Sequence, residues 1–158
     1  MKRINGILND PDFLNFLHKN QEAEVDRIYC HHDLAHFLDV SRIAYILSLE
    51  EKLHIDKEII YGMGILHDVG RWVEYEDGTD HAIVSKSLAE GILRRYAFSE
   101  LEIKEILSAI GQHREKGAAT VLADILYRAD KFSRNCTLCH ARETCKNFQH
   151  GEVPNLQY

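Results

Sequence analysis

Residues Leu34–Glu51 read LAHFLDVSRIAYILSLEE, and the spacing of their apolar residues decides the fold class. His36, Val40, Ile43, Ala44 and Leu47 recur three or four residues apart, so all five lie on one face of an α-helix. The same period runs outward in both directions. It predicts helices over Pro11–Lys19, Leu34–Glu51, Lys57–Val69, Ala82–Tyr96, Glu100–His113 and Ala119–Phe132, with Asp10, Asp33, Asp56, His81, Ser99 and Ala118 near their N-caps. No stretch alternates apolar and polar residues for long, so strands are not expected. The expectation is an all-α fold, a compact helical bundle over residues 1–134, with a cysteine-containing segment, 135–158, docked on it and fraying from Phe148 onward.

Composition narrows the function. A chain of 158 residues, 45% hydrophobic and 28% charged with only two prolines, is one soluble globular domain. A net charge of −6 argues against duplex nucleic acid as the main partner, while a local basic pocket for a phosphate ester stays open. No apolar run reaches membrane-span length and Met1–Gly6 lacks the apolar core of a secretory signal, so a cytoplasmic protein without a membrane partner is expected. Four cysteines in a reducing compartment point to metal ligands or buried thiols, and ten histidines point to metal chemistry.

Six histidines and aspartates stand at the ends of apolar stripes. His36 heads the stripe quoted above. His67, with Asp68 beside it, follows Ile59, Ile60, Met63 and Gly64; His81 opens Val84, Leu88, Ala89 and Ile92; His113 closes Ile103, Ile106, Ala109 and Ile110; Asp130 closes Ala119, Leu122, Ala123 and Leu126. One histidine on an apolar face is ordinarily a core residue bonded to a carbonyl. Four histidines and two aspartates arriving together on five stripes are explained most economically by a shared metal site, because buried carboxylates and imidazoles must be paired or coordinated.

With His36, the pair in Ile65-Leu66-His67-Asp68-Val69-Gly70-Arg71, and Asp130 in Tyr127-Arg128-Ala129-Asp130-Lys131, the sequence resembles the HD-domain superfamily of metal-dependent phosphohydrolases over residues 30 to about 134. His81 and His113 match the further histidines of binuclear members, among them enzymes that split diadenosine tetraphosphate. The Gly-Tyr-Pro that marks the cyclic-dinucleotide branch does not follow the His-Asp pair. The resemblance implies a first metal on His36, His67, Asp68 and Asp130, a second on His81 and His113, and Asp68 bridging them.

Imidazoles mixed with carboxylates suit one or two first-row metals, iron, manganese or zinc. Two such ions about 3.5–4 Å apart would activate a bridging water to attack phosphorus. Arg71, Arg114 and Lys131 are candidate phosphate contacts, Arg71 and Lys131 also as catalytic groups beside Asp68, and His32 is a candidate for the pocket mouth. The expected reaction is hydrolysis of a phosphomonoester or phosphoanhydride of a small molecule, foremost a nucleotide; the rival reading is a non-catalytic nucleotide, metal or redox sensor. Neither substrate nor oligomeric state is readable.

Cys136, Cys139 and Cys145 place three thiols within ten residues, a spacing shared with zinc and iron–sulfur loops. The remaining cysteine, Cys30, lies six residues before His36, and Cys136 lies six after Asp130. If His36 and Asp130 meet from antiparallel helices, both cysteines are displaced by about 9 Å toward the same end. A second, structural site of four thiols is the expectation, with His140 or His150 as other fourth ligands and free thiols as the alternative.

Overall fold

The computed structural model describes residues 1–117, 119–148 and 156–158. Among the described residues eight α-helices follow one another, α1 Lys2–Ile7, α2 Pro11–Ala23, α3 Leu34–Glu50, α4 Lys57–Leu66, α5 Arg71–Asp77, α6 His81–Arg95, α7 Glu100–Gln112 and α8 Val121–Phe132, and then short 3-10 turns at Arg142–Thr144 and Lys146–Phe148. No strand occurs among the described residues, as the apolar period implies. None of the helices is long and apolar enough to cross a membrane.

The centre of the bundle is α4. Ile59, Ile60, Met63, Ile65 and Leu66 are all buried, so this helix is enclosed on nearly every side. It packs against α3 and α7, while α8 lies against α3 and α7, and α6 against α7. Phe37, Val40, Met63, Leu66, Ile106, Ile110, Ala123 and Leu126 are fully buried in one continuous core. Each of the larger side chains contributes about 1.5–3 kcal/mol by leaving water. At Gly64 a Cβ would stand 2.8 Å from Cα of Ser41, so α3 and α4 approach closely enough to admit only glycine there.

Four helix starts follow their caps as expected: Asp10 accepts from the backbone N–H of Asp12 and Phe13, Asp33 from His36, Asp56 from Glu58 and Ser99 from Glu102. Two others shift. His81 is the first residue of α6 rather than its cap, because Asp80 accepts from Ala82. The cap of α8 is Thr120, which accepts from Ala123, and α8 begins at Val121 instead of Ala119; Ala118 lies outside the described residues.

The expected helix Lys57–Val69 stops at Leu66, and its tail becomes the turn His67–Gly70. Tertiary hydrogen bonds end it. Asn20 on α2 donates from Nδ2 to the Asp68 carbonyl at 2.8 Å and accepts from the Trp72 N–H at 2.8 Å, while Ser85 on α6 accepts from the Gly70 N–H at 2.9 Å. Gly70 has no room for a side chain, since a Cβ would lie 2.8 Å from the Ser85 nitrogen. The short α1 and α5 were not expected, and α2 extends to Ala23, beyond Lys19.

Candidate metal centre

The ends of four helices and the turn after α4 converge. His36 on α3, His67 and Asp68 after α4, His81 at the start of α6, His113 at the end of α7 and Asp130 on α8 are all buried, with 9% exposure at most. Every metal-ligand candidate read from the stripes therefore reaches one place.

The geometry turns on Asp68. Its Oδ1 lies 3.1 Å from His81 Nε2 and 3.2 Å from His113 Nε2. Its Oδ2 lies 3.3 Å from His67 Nε2 and 3.6 Å from His32 Nε2. Beyond His67, His36 Nε2 faces Asp130 Oδ1 at 3.5 Å. Three sets of ligand atoms each fall within 4.8 Å of one another: His32, His36 and Asp68; His36, His67 and Asp130; Asp68, His81 and His113.

Each imidazole turns Nε2 inward and has an acceptor on Nδ1. The Gly64 carbonyl holds His67 and the Ile110 carbonyl holds His113, both at 2.7 Å. A Glu74 carboxylate oxygen holds His81, a Glu24 oxygen holds His32, and Ser133 Oγ, which donates to the Asp130 carbonyl, sits 3.3 Å from His36 Nδ1. With the proton fixed on Nδ1, each Nε2 presents a lone pair. His81 Nε2 and His113 Nε2 then face each other at 3.1 Å, lone pair against lone pair. His36 Nε2, His67 Nε2 and Asp68 Oδ1 have no hydrogen-bond partner among the described residues although buried. Acceptors crowded against acceptors need positive charge between them, so the donor set fits divalent metal ions.

Local electrostatics agree. Burial first, and then the neighbouring His67, lower the pKa of His36 to about 3, leaving a neutral ligand. Burial disfavours charge on His67, yet Asp68 beside it raises its pKa; the carboxylates call for the positive charge a metal would bring. Burial likewise opposes ionisation of Asp68 and Asp130. The imidazoles of His67, His113 and His81 nevertheless hold Asp68 well below the usual range, and Arg134 and Lys131 do the same for Asp130.

The expected phosphate contacts divide. Arg71 reaches the cluster: its Nη1 lies 2.5 Å from both His81 Nδ1 and Glu74 Oε2. Lys131 Nζ stands 2.5 Å from Asp130 Oδ2 with 43% of its side chain exposed. Arg114 stays outside, half exposed and paired with Asp80 at 3.0 Å and Glu74 at 3.5 Å. His32 does not line a mouth. It is 5% exposed and sits inside the cluster, because Glu24 binds both its backbone N–H and its ring. Glu24, Glu74, Arg134 and Asn20 were not picked out from the sequence. Asn20 and Glu24 do extend the stripe Phe13, Leu17 at helical spacing, a signal that inspection of histidines and aspartates alone passes over.

Comparison with known proteins agrees with this geometry. The HD-domain family model matches residues 33–135. An uncharacterized protein of Clostridium beijerinckii is 44% identical over 155 residues, covering 94% of this chain and 98% of its own. Ribonuclease Y of Protochlamydia amoebophila is 32% identical over 81% of this chain, but the match spans only 22% of that protein. A solved structure, that of a predicted HD superfamily hydrolase from an uncultured Thermotogales bacterium, superposes with a TM-score of 0.60 at 28% identity, over 75% of this chain and 66% of the other. With a family match over more than half of its length and the His-Asp pair at the centre of the converging ligands, the chain belongs to the HD-domain family.

Proposed function

We propose that the chain is a metal-dependent phosphohydrolase that cleaves a phosphomonoester or phosphoanhydride bond of a small phosphorylated molecule, in the first place a nucleotide. The observation that carries this reading is the division of Asp68, one oxygen toward His81 and His113 and the other toward His67 and His32. A carboxylate so placed can bridge two ions. His36, His67, Asp68 and Asp130 would hold the first, with His32 joining them, and Asp68, His81 and His113 the second. Iron, manganese and zinc suit this mixture of imidazole and carboxylate. When bound, such ions bring the pKa of water toward about 7 and offset the charge on phosphoryl oxygens.

The remaining groups orient and neutralise. Glu24 and Glu74 keep the protons of His32 and His81 on Nδ1. Arg71, with 17% of its side chain exposed, is anchored by Glu74 beside His81 and would meet a phosphate oxygen there. Lys131, paired with Asp130 and 43% exposed, would meet another. The net charge of −6 favours a small ester over a polynucleotide. The ribonuclease Y match keeps RNA as the substrate to compare.

The test supplies the full chain with manganese or iron(II) and offers nucleoside mono-, di- and triphosphates, a dinucleoside polyphosphate and a single-stranded RNA. Hydrolysis of a small ester is expected, and Asp68→Asn should lower it at least about a thousandfold. His81→Ala and His113→Ala should each remove about one equivalent of bound metal. Nucleotide binding without turnover would turn the reading to a sensor, and a chain that binds neither stoichiometric metal nor nucleotide would overturn both.

A further inference from the structure

All four cysteines are free and half-buried, and they come from two distant parts of the chain. Cys30 precedes α3. The other three follow α8 on a string of turns in which the Cys139 N–H donates to the Cys136 carbonyl at 3.3 Å, Arg142 to Cys139 at 3.4 Å and Cys145 to Arg142 at 3.2 Å. The two parts are tied together. The Tyr29 hydroxyl, next to Cys30, lies 3.3 Å from Thr144 Oγ1 and 3.4 Å from the Thr144 carbonyl, next to Cys145. Arg27 Nε donates to the Cys30 carbonyl at 2.8 Å and fixes that side. Cys30 and Cys139 also line a common cleft of about 460 Å³ that reaches His36 and Arg134.

Little else holds this segment. Of its described residues 135–148, Ala141 is the only buried apolar one, and Leu138 is 80% exposed. Short turns without an apolar face do not order themselves in water. Four neighbouring thiols offer what burial does not supply. Cys30 and Cys139 border one cleft, and the Tyr29–Thr144 contact brings Cys145 to the same end; a cation that binds thiolates there would hold the turns in place. Among the described residues no three sulfurs have closed to within 4.8 Å, so an ion would draw the turns inward.

We propose that Cys30, Cys136, Cys139 and Cys145 form a tetrathiolate site for zinc, separate from the His/Asp centre, which fixes residues 135–148 as one wall of the cleft leading to His36. Binding replaces four S–H protons by one Zn²⁺ and releases the protons to solvent. The site is a structural clamp on the entrance, because its sulfurs saturate the four positions zinc prefers and leave none for substrate.

Cobalt(II) tests this in the full chain, prepared reduced and without oxygen. A tetrahedral thiolate site gives sulfur-to-cobalt charge-transfer absorption, which nitrogen and oxygen ligands do not. With cobalt added beyond what the His/Asp centre takes up, one equivalent per chain is expected to develop that absorption, and zinc to bleach it. Cys30→Ser and Cys139→Ser should each weaken it severalfold and expose the segment to proteolysis, while histidine and aspartate variants leave it intact. Wild-type protein that binds cobalt without thiolate absorption would overturn the site, a measurement that needs no variant to fold. Full absorption in Cys30→Ser would overturn the four-thiol set. Stoichiometric acid-labile sulfide with iron in the purified chain would overturn zinc in favour of a cluster.

Discussion

Replacing Asn20 by Ala tests whether the turn that carries Asp68 is held from α2. Asn20 is fully buried, and its amide serves two main-chain groups of that turn, the Asp68 carbonyl and the Trp72 N–H, each at 2.8 Å. Leaving a buried main-chain group unpaired costs about 1–3 kcal/mol. Among the described residues the Trp72 N–H has no second partner, whereas the Asp68 carbonyl keeps the Arg71 N–H at 3.1 Å. The loss should therefore fall in the lower part of the summed range, about 2–4 kcal/mol. For a chain of this size that corresponds to a fall in Tm of about 4–16 °C. Urea and thermal unfolding of the metal-stripped chain measure it without interference from ligand binding, and Asn20→Asp supplies a control. The aspartate keeps an acceptor for Trp72 but sets a carboxylate against the Asp68 carbonyl, so it should not restore stability. An Asn20→Ala chain within about 0.5 kcal/mol of the original would refute the argument, because it would mean that water or the turn itself satisfies both groups.

Two further outcomes follow from side chains outside the six ligand candidates. Glu24→Gln weakens the acceptor behind His32, so manganese affinity, measured by titration, should drop about 10–100-fold with helix content unchanged; unaltered affinity in both Glu24→Gln and His32→Ala would remove His32 from the metal site. Asp10→Asn concerns acid stability. Burial raises the Asp10 pKa, but Arg95, the Phe13 and Asp12 N–H groups and the Tyr96 hydroxyl together hold it below the ordinary value. The charged form is thus favoured by folding, and its contribution is present above the unfolded pKa of about 3.9 and lost as pH falls through the lower folded one. Asparagine keeps the cap and loses the charge, so about 1 kcal/mol should disappear near pH 7 and the acid limb of the urea midpoint between pH 5 and 2 should flatten; parallel acid limbs in the two proteins would contradict it.

Periodicity made the bundle legible because helices that bury one face must repeat apolar residues at the spacing of α3. The same reading led to the ligand candidates, since a polar residue on such a stripe has to be explained by what it meets inside. It failed where tertiary bonds decide. The apolar pattern of α4 continues through Val69, and only Asn20 and Ser85, remote in sequence, convert its last turn into the bend that separates His67 from Arg71. Glu74 was out of reach for a different reason: α5 buries no residue and so leaves no stripe to read. Glu24 was hidden by ending α2 at Lys19, which cut a stripe whose next members are Asn20 and Glu24. The four cysteines were brought toward one end by counting residues along two helices, but their link through Tyr29 and Thr144 lies in turns that carry no period.

His67 and His113 share a feature that reaches beyond their place in the cluster. Each stands just past the last residue of its helix, and each ring bonds the carbonyl three residues back, in the last turn, where carbonyls lack their full set of helical donors; the Ile110 carbonyl takes the His113 main-chain N–H at 3.4 Å as well. The helix itself therefore sets the rotamer of the ring. The conformational entropy of these two side chains, on the order of 1 kcal/mol apiece, is spent when the helices form and not when an ion arrives. The cost of ordering these two rings is moved from the encounter to the folding reaction, so an ion that arrives meets ligands already aimed.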